Sequence, residues 1–345
     1  MLHLHPVHIH PDDKAKAPMF RSRIDQLLES SVVPSFTSIG PHLRRRLFDW
    51  RSLESYDLSD RVIVLTGGTS GIGEAAAEIY AERGATLVVV ARDADKCRTL
   101  IARLGERTGN DRLHAVIADL GKLDDVRRAA GEISARHPHI DVLAHNAGAL
   151  FPDRKRASDG TDLAVELMVA APFLLTGLLL PALAGASSGT GRVLTMSSGG
   201  MYTEPLTVDE LEMSDDDYSG TAQYARAKRA QVVLSELWAE RIAVASTVFH
   251  ALHPGWVDTP GINDALPGFS RVLSPLRLLR SATAGADTLV WLSADDAALG
   301  SSGDFWHDRA QRSTHKMSKT RTSDTETTRA ALWSWCEQHT GWTFG

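Results

Sequence analysis

The sequence predicts an α/β protein: one doubly wound domain, a parallel sheet with helices on both faces, carrying an N-terminal extension. Three observations predict it. Short, continuous apolar runs recur from residue 61 onward, helix-period segments separate them, and the first run ends in a glycine-rich turn. Continuous apolar strands are what a sheet covered on both faces requires, because neither face meets water. Repeated alternation of strand and helix then implies parallel strands joined by crossover helices.

Taken in order, residues 1–58 read as the extension and residues 59–345 as the domain. Pro6, Pro11, Pro18, Pro34 and Pro41 punctuate the extension, and only Phe20 to Leu28 reads as a short helix. His3, His5, His8 and His10 lack a Cys or carboxylate framework, so a terminal tail is expected rather than a metal site. Arg44, Arg45 and Arg46 beside Leu47, Phe48 and Trp50 form a small basic-aromatic patch. It reads either as contact with an anionic membrane surface or as a segment packed along the domain with solvated arginines; the second is favoured. The expected strands are Val62 to Leu65, Leu87 to Val90, Leu113 to Ala118, Val142 to Ala144, Arg192 to Met196 and Thr247 to Phe249. The expected helices are Gly73 to Arg83, Asp95 to Leu104, Asp124 to Arg136, Asp162 to Leu180 and Tyr224 to Arg241. The apolar run from Phe173 to Ala184, broken by Gly177 and Pro181, is too short to cross a bilayer and reads as a buried helix.

Composition narrows the function classes. The net charge of -6 and the lack of a long basic stretch argue against nucleic acid as a partner. Two cysteines, Cys97 and Cys336, form neither a CxxC pair nor a zinc spacing, so no metal and no disulfide framework is expected. With no secretory leader evident, a reduced, cytoplasmic setting is expected.

The chemistry begins at Thr66-Gly67-Gly68-Thr69-Ser70-Gly71-Ile72-Gly73, between the first strand and its helix. Residues without Cβ let the chain turn tightly and bring backbone N–H groups against a pyrophosphate. The helix adds its free N–H groups and the positive end of its dipole. The second strand ends at Ala91-Arg92. Arg92 can pair with a 2′-phosphate, which favours NADP(H), with NAD(H) as the alternative. Asp93, directly after it, is the competing carboxylate.

Tyr224 and Lys228 are spaced i,i+4 and share one helix face. An ammonium near a phenol lowers the phenol's pKa, which suits it to proton exchange. Upstream, the strand through Met196 runs into Ser197-Ser198-Gly199-Gly200, where open α/β sheets place ligands. Downstream, His253-Pro254-Gly255-Trp256-Val257-Asp258-Thr259 follows another strand.

Together these motifs resemble the short-chain dehydrogenase/reductase family, from about Arg61 to the C-terminus. Thr66 to Gly73 is similar to its TGxxxGxG turn, and Asp119-Leu120 to its adenine-contacting segment. His145-Asn146-Ala147-Gly148 is similar to NNAG with His in first place. Ser198, Tyr224 and Lys228 correspond to the family's catalytic Ser, Tyr and Lys, and Pro254-Gly255 to its nicotinamide loop. Ser198 and Tyr224 lie further apart than is common, as in the retinol-dehydrogenase-like branch. Ser197 to Tyr202, Tyr224 to Leu234 and Asp304 to Arg309 resemble the group named dehydrogenase/reductase SDR family member 12. The resemblance implies a single Rossmann domain and hydride transfer between nicotinamide and a carbonyl or alcohol. It implies cofactor contacts from Gly67, Thr69, Ser70, Gly71, Ile72, Gly73, Arg92, Asp119, Leu120, Asn146, Ala147, Gly148, Tyr224, Lys228, Pro254, Gly255, Val257 and Thr259. It also implies homo-oligomers through helices such as Asp162 to Leu180 and Tyr224 to Arg241.

One departure stands out. Met168 occupies the position where the family carries an Asn that fixes the catalytic lysine, and methionine cannot supply an amide's hydrogen bonds. The apolar residues Leu150, Phe151, Met201, Tyr202 and Trp256, with the loop Pro260 to Pro275, suggest a pocket for a small lipophilic carbonyl or alcohol. The rival reading is an NADP(H)-binding regulatory protein with little turnover; an epimerase or dehydratase fits the glycine spacing less well.

Overall fold

The computed structural model describes residues 11–259 and 278–344, and of residues 11–20 the backbone alone. The His3, His5, His8 and His10 cluster and the loop Pro260 to Pro275 lie outside the described residues.

Eight strands form one sheet: β1 (Val62–Thr66), β2 (Thr86–Ala91), β3 (Leu113–Ile117), β4 (Val142–His145), β5 (Gly191–Met196), β6 (Thr247–His253), β7 (Asp304–His307) and β8 (Ala310–Arg312). Their order is β3-β2-β1-β4-β5-β6-β7-β8. All neighbours run parallel except β7 and β8, which form a hairpin. The winding direction reverses between β1 and β4, so a crevice opens beyond their carboxyl ends, where ligands bind in open sheets. The doubly wound expectation holds, and each of the six expected strands is present.

Side chains alternate between two cores, as a period of two dictates. Ile63, Leu65, Leu87 and Val89 pack under α4 (Gly71–Glu82), α5 (Ala94–Thr108) and α9 (Ala282–Ala294). Val64, Val88 and Val90 pack under α6 (Leu123–Arg136), α7 (Leu163–Ala184) and α8 (Gly220–Arg241). Two short helices, α10 (Ser318–Ser323) and α11 (Glu326–Thr340), close the chain.

Helix α7 corrects one expectation. It runs 22 residues and is long and apolar enough by composition to cross a membrane, but 78% of its 18-residue apolar window is buried inside the domain. Gly177 does not interrupt it; a Cβ there would meet the Trp342 ring at 2.4 Å, so the glycine admits the C-terminal segment. Phe173, Trp238, Trp333 and Trp342 interlock around that contact. Arg329 ties α11 to Glu236 and Glu240 of α8. The α7 and α8 faces named for oligomer contacts therefore carry α11 on this chain.

The extension is more ordered than its prolines suggest. It forms α1 (Pro11–Ser30), α2 (Val32–Phe36) and α3 (Ile39–Phe48). Pro34 and Pro41 sit in first turns, where the missing N–H costs nothing. Nor are all the patch arginines solvated. Arg45 and Arg46 are exposed, but Arg44 is completely buried and pairs with Asp25, Glu29 and Asp308. An unpaired buried guanidinium would be very costly, so this network fixes the arm to the β7–β8 turn.

Candidate active site

The glycine turn leaves β1 at Thr66. Gly67 has φ +69 and Gly71 φ +55, in the left-handed region that favours glycine. A Cβ on Gly67 would meet the Ala147 backbone at 2.8 Å, and one on Gly73 would meet the Gly67 carbonyl at 2.1 Å. Ser70 is the N-cap of α4, yet its side chain makes no capping hydrogen bond. The first-turn N–H groups of α4 thus face the crevice without a side-chain cap, which suits an anion.

Asn146 holds this turn from β4. Its Nδ2 donates to the Thr66 and Gly67 carbonyls, each at 3.1 Å, and its N–H donates to Thr66 Oγ1. Ala147 N–H donates to the same oxygen. Asp119 accepts from Gly121 N–H through Oδ1, which holds the Leu120 segment after β3. At the end of β2, Asp93 is committed to capping α5, accepting from the N–H groups of Asp95 and Lys96. Arg92 is exposed beside it. One oxygen of the Asp93 carboxylate is engaged by the helix, while the Arg92 side chain is exposed.

Ser198 follows β5, and its Oγ accepts from Gly200 N–H at 3.3 Å. Tyr224 lies in the first turns of α8, and its phenol interacts with Ser198. Burial pushes the Tyr224 phenol up to about 12, and the bond to Ser198 works against that rise. Lys228 is buried below it, with Nζ 5.5 Å from the centre of the Tyr224 ring. It donates to the Met196 carbonyl at 2.7 Å and to Gln231 Oε1 at 2.9 Å. Burial lowers its pKa to about 7. The geometry brings Ser198, Tyr224 and Lys228 together. The amine lies near the ring, and burial is the largest influence on the phenol, favouring its neutral form.

Met168 reaches the same place from α7, at the centre of a π-helical turn, Glu166–Ala170. A Cβ on Gly148 would meet Lys228 Nζ at 3.2 Å and Met168 Sδ at 3.3 Å, so both side chains converge there. The sequence placement of Met168 next to the lysine thus agrees with the geometry.

The loop after β6 is positioned by Arg280 and by the N-terminal arm. Gly255 has φ +82 and packs against the Arg280 guanidinium. Arg280 donates to the carbonyls of Pro254, Ser35, Phe36 and Thr37 and pairs with Asp308. Trp256 N–H donates to the Phe36 carbonyl, and Val257 bridges Arg280. Thr259 returns the chain to the side of Gly71. Sequence reasoning missed Arg280 entirely, because nothing local marks a residue whose partners lie some 244 positions away.

Two residues proposed for a pocket are core instead. Met201 and Tyr202 are buried with Phe36, Val232 and Phe305, and Tyr202 donates to the Ser313 carbonyl. Leu150, Phe151 and Trp256 remain half-buried.

A family model described as short chain dehydrogenase matches residues 61–267. The chain is 36% identical over 268 residues to dehydrogenase/reductase SDR family member 12 of Bos taurus, covering 77% of this chain and 82% of that protein. It is 32% identical over 277 residues to polyprenol dehydrogenase of Mus musculus, covering 78% and 82%. Among solved structures, a short chain dehydrogenase from Shigella flexneri 2a complexed with NADP aligns with a TM-score of 0.59 at 25% identity, covering 74% of this chain and all of that one. The chain belongs to the short-chain dehydrogenase/reductase family, a family of oxidoreductases acting on alcohols and carbonyls. Within it the resemblance to the member 12 group holds over most of the chain.

Proposed function

We propose that this protein is an NADP(H)-dependent oxidoreductase acting on a lipophilic carbonyl or alcohol, with Tyr224 as its acid/base residue. The observation that carries this reading is the convergence of Ser198, Tyr224 and Lys228 beside a glycine turn at the carboxyl ends of the strands. The residues fit a dinucleotide: the α4 N-terminus and Gly67, Gly71 and Gly73 would hold its pyrophosphate, and Arg92 a 2′-phosphate. Pro254, Gly255, Val257 and Thr259 would hold the nicotinamide end. When bound, the dinucleotide gives hydride to a carbonyl carbon or takes it from an alcohol.

In reduction, Ser198 Oγ–H donates to the substrate oxygen and orients it. Tyr224, kept as a neutral phenol by burial, gives its proton to that oxygen as charge develops there. Lys228, with Nζ 5.5 Å from the centre of that ring, stabilises the resulting phenolate. Leu150, Phe151 and Trp256 supply apolar surface, and the names of the relatives polyprenol dehydrogenase and retinol dehydrogenase 11 agree with a lipophilic substrate.

The test is a panel of aliphatic and aromatic carbonyls with NADPH. Tyr224→Phe is expected to abolish turnover on every active member while binding NADPH as the unmodified protein does. Turnover retained in that variant removes Tyr224 from the mechanism. NADPH binding with no oxidation across the panel favours a regulatory dinucleotide-binding protein instead.

A further inference from the structure

Helix α8 carries a polar stripe where an apolar one is expected. Tyr224, Lys228, Gln231 and Ser235 fall at helical spacings of four, three and four, on one face. Lys228, Gln231 and Ser235 are at most 5% exposed. Buried polar groups are costly unless they are hydrogen-bonded, so such a stripe needs an occupation.

Among the described residues, Gln231 Oε1 is the one side-chain acceptor within hydrogen-bonding distance of Lys228 Nζ. No carboxylate lies within ion-pair distance of that amine in the described part of the chain. The far end of the same amide, Gln231 Nε2, is buried without a protein partner, as is Ser235 Oγ. Both residues line a cavity of about 20 Å³ between α8, α7 and the sheet, with Met168, Thr176 and His145 on its other walls. That volume has room for one water, which would bridge Nε2 and Oγ.

We propose that Gln231 is the positioning residue for the Lys228 amine in this protein, supplying from α8 the amide contact that Met168 cannot supply from α7. The proposal rests on the reading of Lys228 as a catalytic residue. An uncharged acceptor at 2.9 Å favours the ammonium over the amine and holds Nζ under the Tyr224 ring. The groups facing Lys228 are few. Tyr224 lies on its own helix, and His145 of β4 lines the cavity beside Gln231. From α7 comes the uncharged Met168, while Glu166 of that helix turns away to His339 at 2.7 Å. His145 is neutral, held down to about 3 by burial, and its Nε2 is engaged with Thr176 Oγ1.

The experiment follows the pH dependence of Lys228 acylation by acetic anhydride in the full chain, read at the Lys228 peptide by mass spectrometry. Gln231→Leu is expected to move the midpoint down by about one pH unit, the size of one hydrogen bond to a charged group. Gln231→Glu is expected to move it up, and Ser235→Ala to move it down by less. Met168→Asn placed in the Gln231→Leu background is expected to return the midpoint toward its original value. The pH limb of kcat on an active carbonyl should move by the same amount. An unchanged midpoint in Gln231→Leu overturns the proposal, as does failure of Met168→Asn to rescue it. Where the leucine variant fails to fold, Gln231→Met and Gln231→Glu carry the same comparison. Turnover surviving Tyr224→Phe would fell the catalytic reading separately, because the acylation midpoint does not depend on turnover.

Discussion

At the scale of single residues, function turns on which of two adjacent side chains is free. Asp93 caps a helix through one carboxylate oxygen, and the exposed Arg92 beside it is the residue proposed for the 2′-phosphate. Arg92→Ala is therefore expected to weaken NADPH binding by about tenfold, the value of one charge-assisted contact, and to leave NADH binding unchanged. Equal losses for both nucleotides in a fluorescence titration would remove Arg92 from the 2′-phosphate site. Buried histidines set the acid limit of the fold. Burial lowers His145 to about 3 and holds His250 and His253 below their ordinary value of 6.5. The unfolded chain takes up these protons first as pH falls, so the stability they contribute is complete above 6.5 and is lost as pH falls toward 3. The melting temperature should drop steadily over that window, and His145→Asn should flatten the slope. A melting temperature insensitive to pH there would contradict neutral burial of these rings.

Between elements, the decisive residue is Arg280. It joins the arm's α2, the loop after β6 and the β7–β8 turn in one buried centre. That turn places Asp308 and Arg309 at φ +52 and φ +56. A two-residue hairpin of type I′ needs positive φ at both positions, which Asn and Gly supply most easily. Here the strain is offset by partners: Asp308 pairs with Arg280 and Arg44, and Arg309 pairs with Asp287 on α9. Local propensity gives no hairpin signal at Asp-Arg, which is why β7 and β8 were not legible. Arg280→Ala leaves Asp308 buried with one cation fewer and should cost about 3–5 kcal/mol of unfolding free energy, measured by urea denaturation. It should also weaken NADPH binding, since Pro254 and Gly255 lose their support. A variant as stable as the original would show that the arm and loop are not coupled through this guanidinium.

Over the whole molecule, the C-terminal segment completes the core on one side of the sheet. Trp238 lies between Phe249 of β6 and the rings of Trp333 and Trp342. Trp238→Ala should cost about 3–5 kcal/mol through the cavity it leaves. A loss below about 1 kcal/mol in the same urea assay would mean that the aromatic layer is not part of the cooperative core. This layer also explains how α7 is more apolar than a surface helix without being a membrane span: the chain covers it with its own residues.

The sequence by itself determined the six central strands, the glycine turn and the shared helix face of Tyr224 and Lys228, because each is written in a period or a spacing of a few residues, and Ser198 was marked by the family resemblance. Apolar runs fix strands locally, and an i,i+4 pair must share a helix face whatever surrounds it. What only the tertiary structure decided was everything made by residues far apart in the chain. It buried Arg44 and brought Arg280 to Pro254. It moved Met201 and Tyr202 from the expected pocket into the core, and gave the Lys228 amine a backbone carbonyl and the Gln231 amide as partners. Desolvation is a property of the assembled interior, so neither the neutral Tyr224 phenol nor the reliance of Lys228 on Gln231 could be read from the order of residues alone.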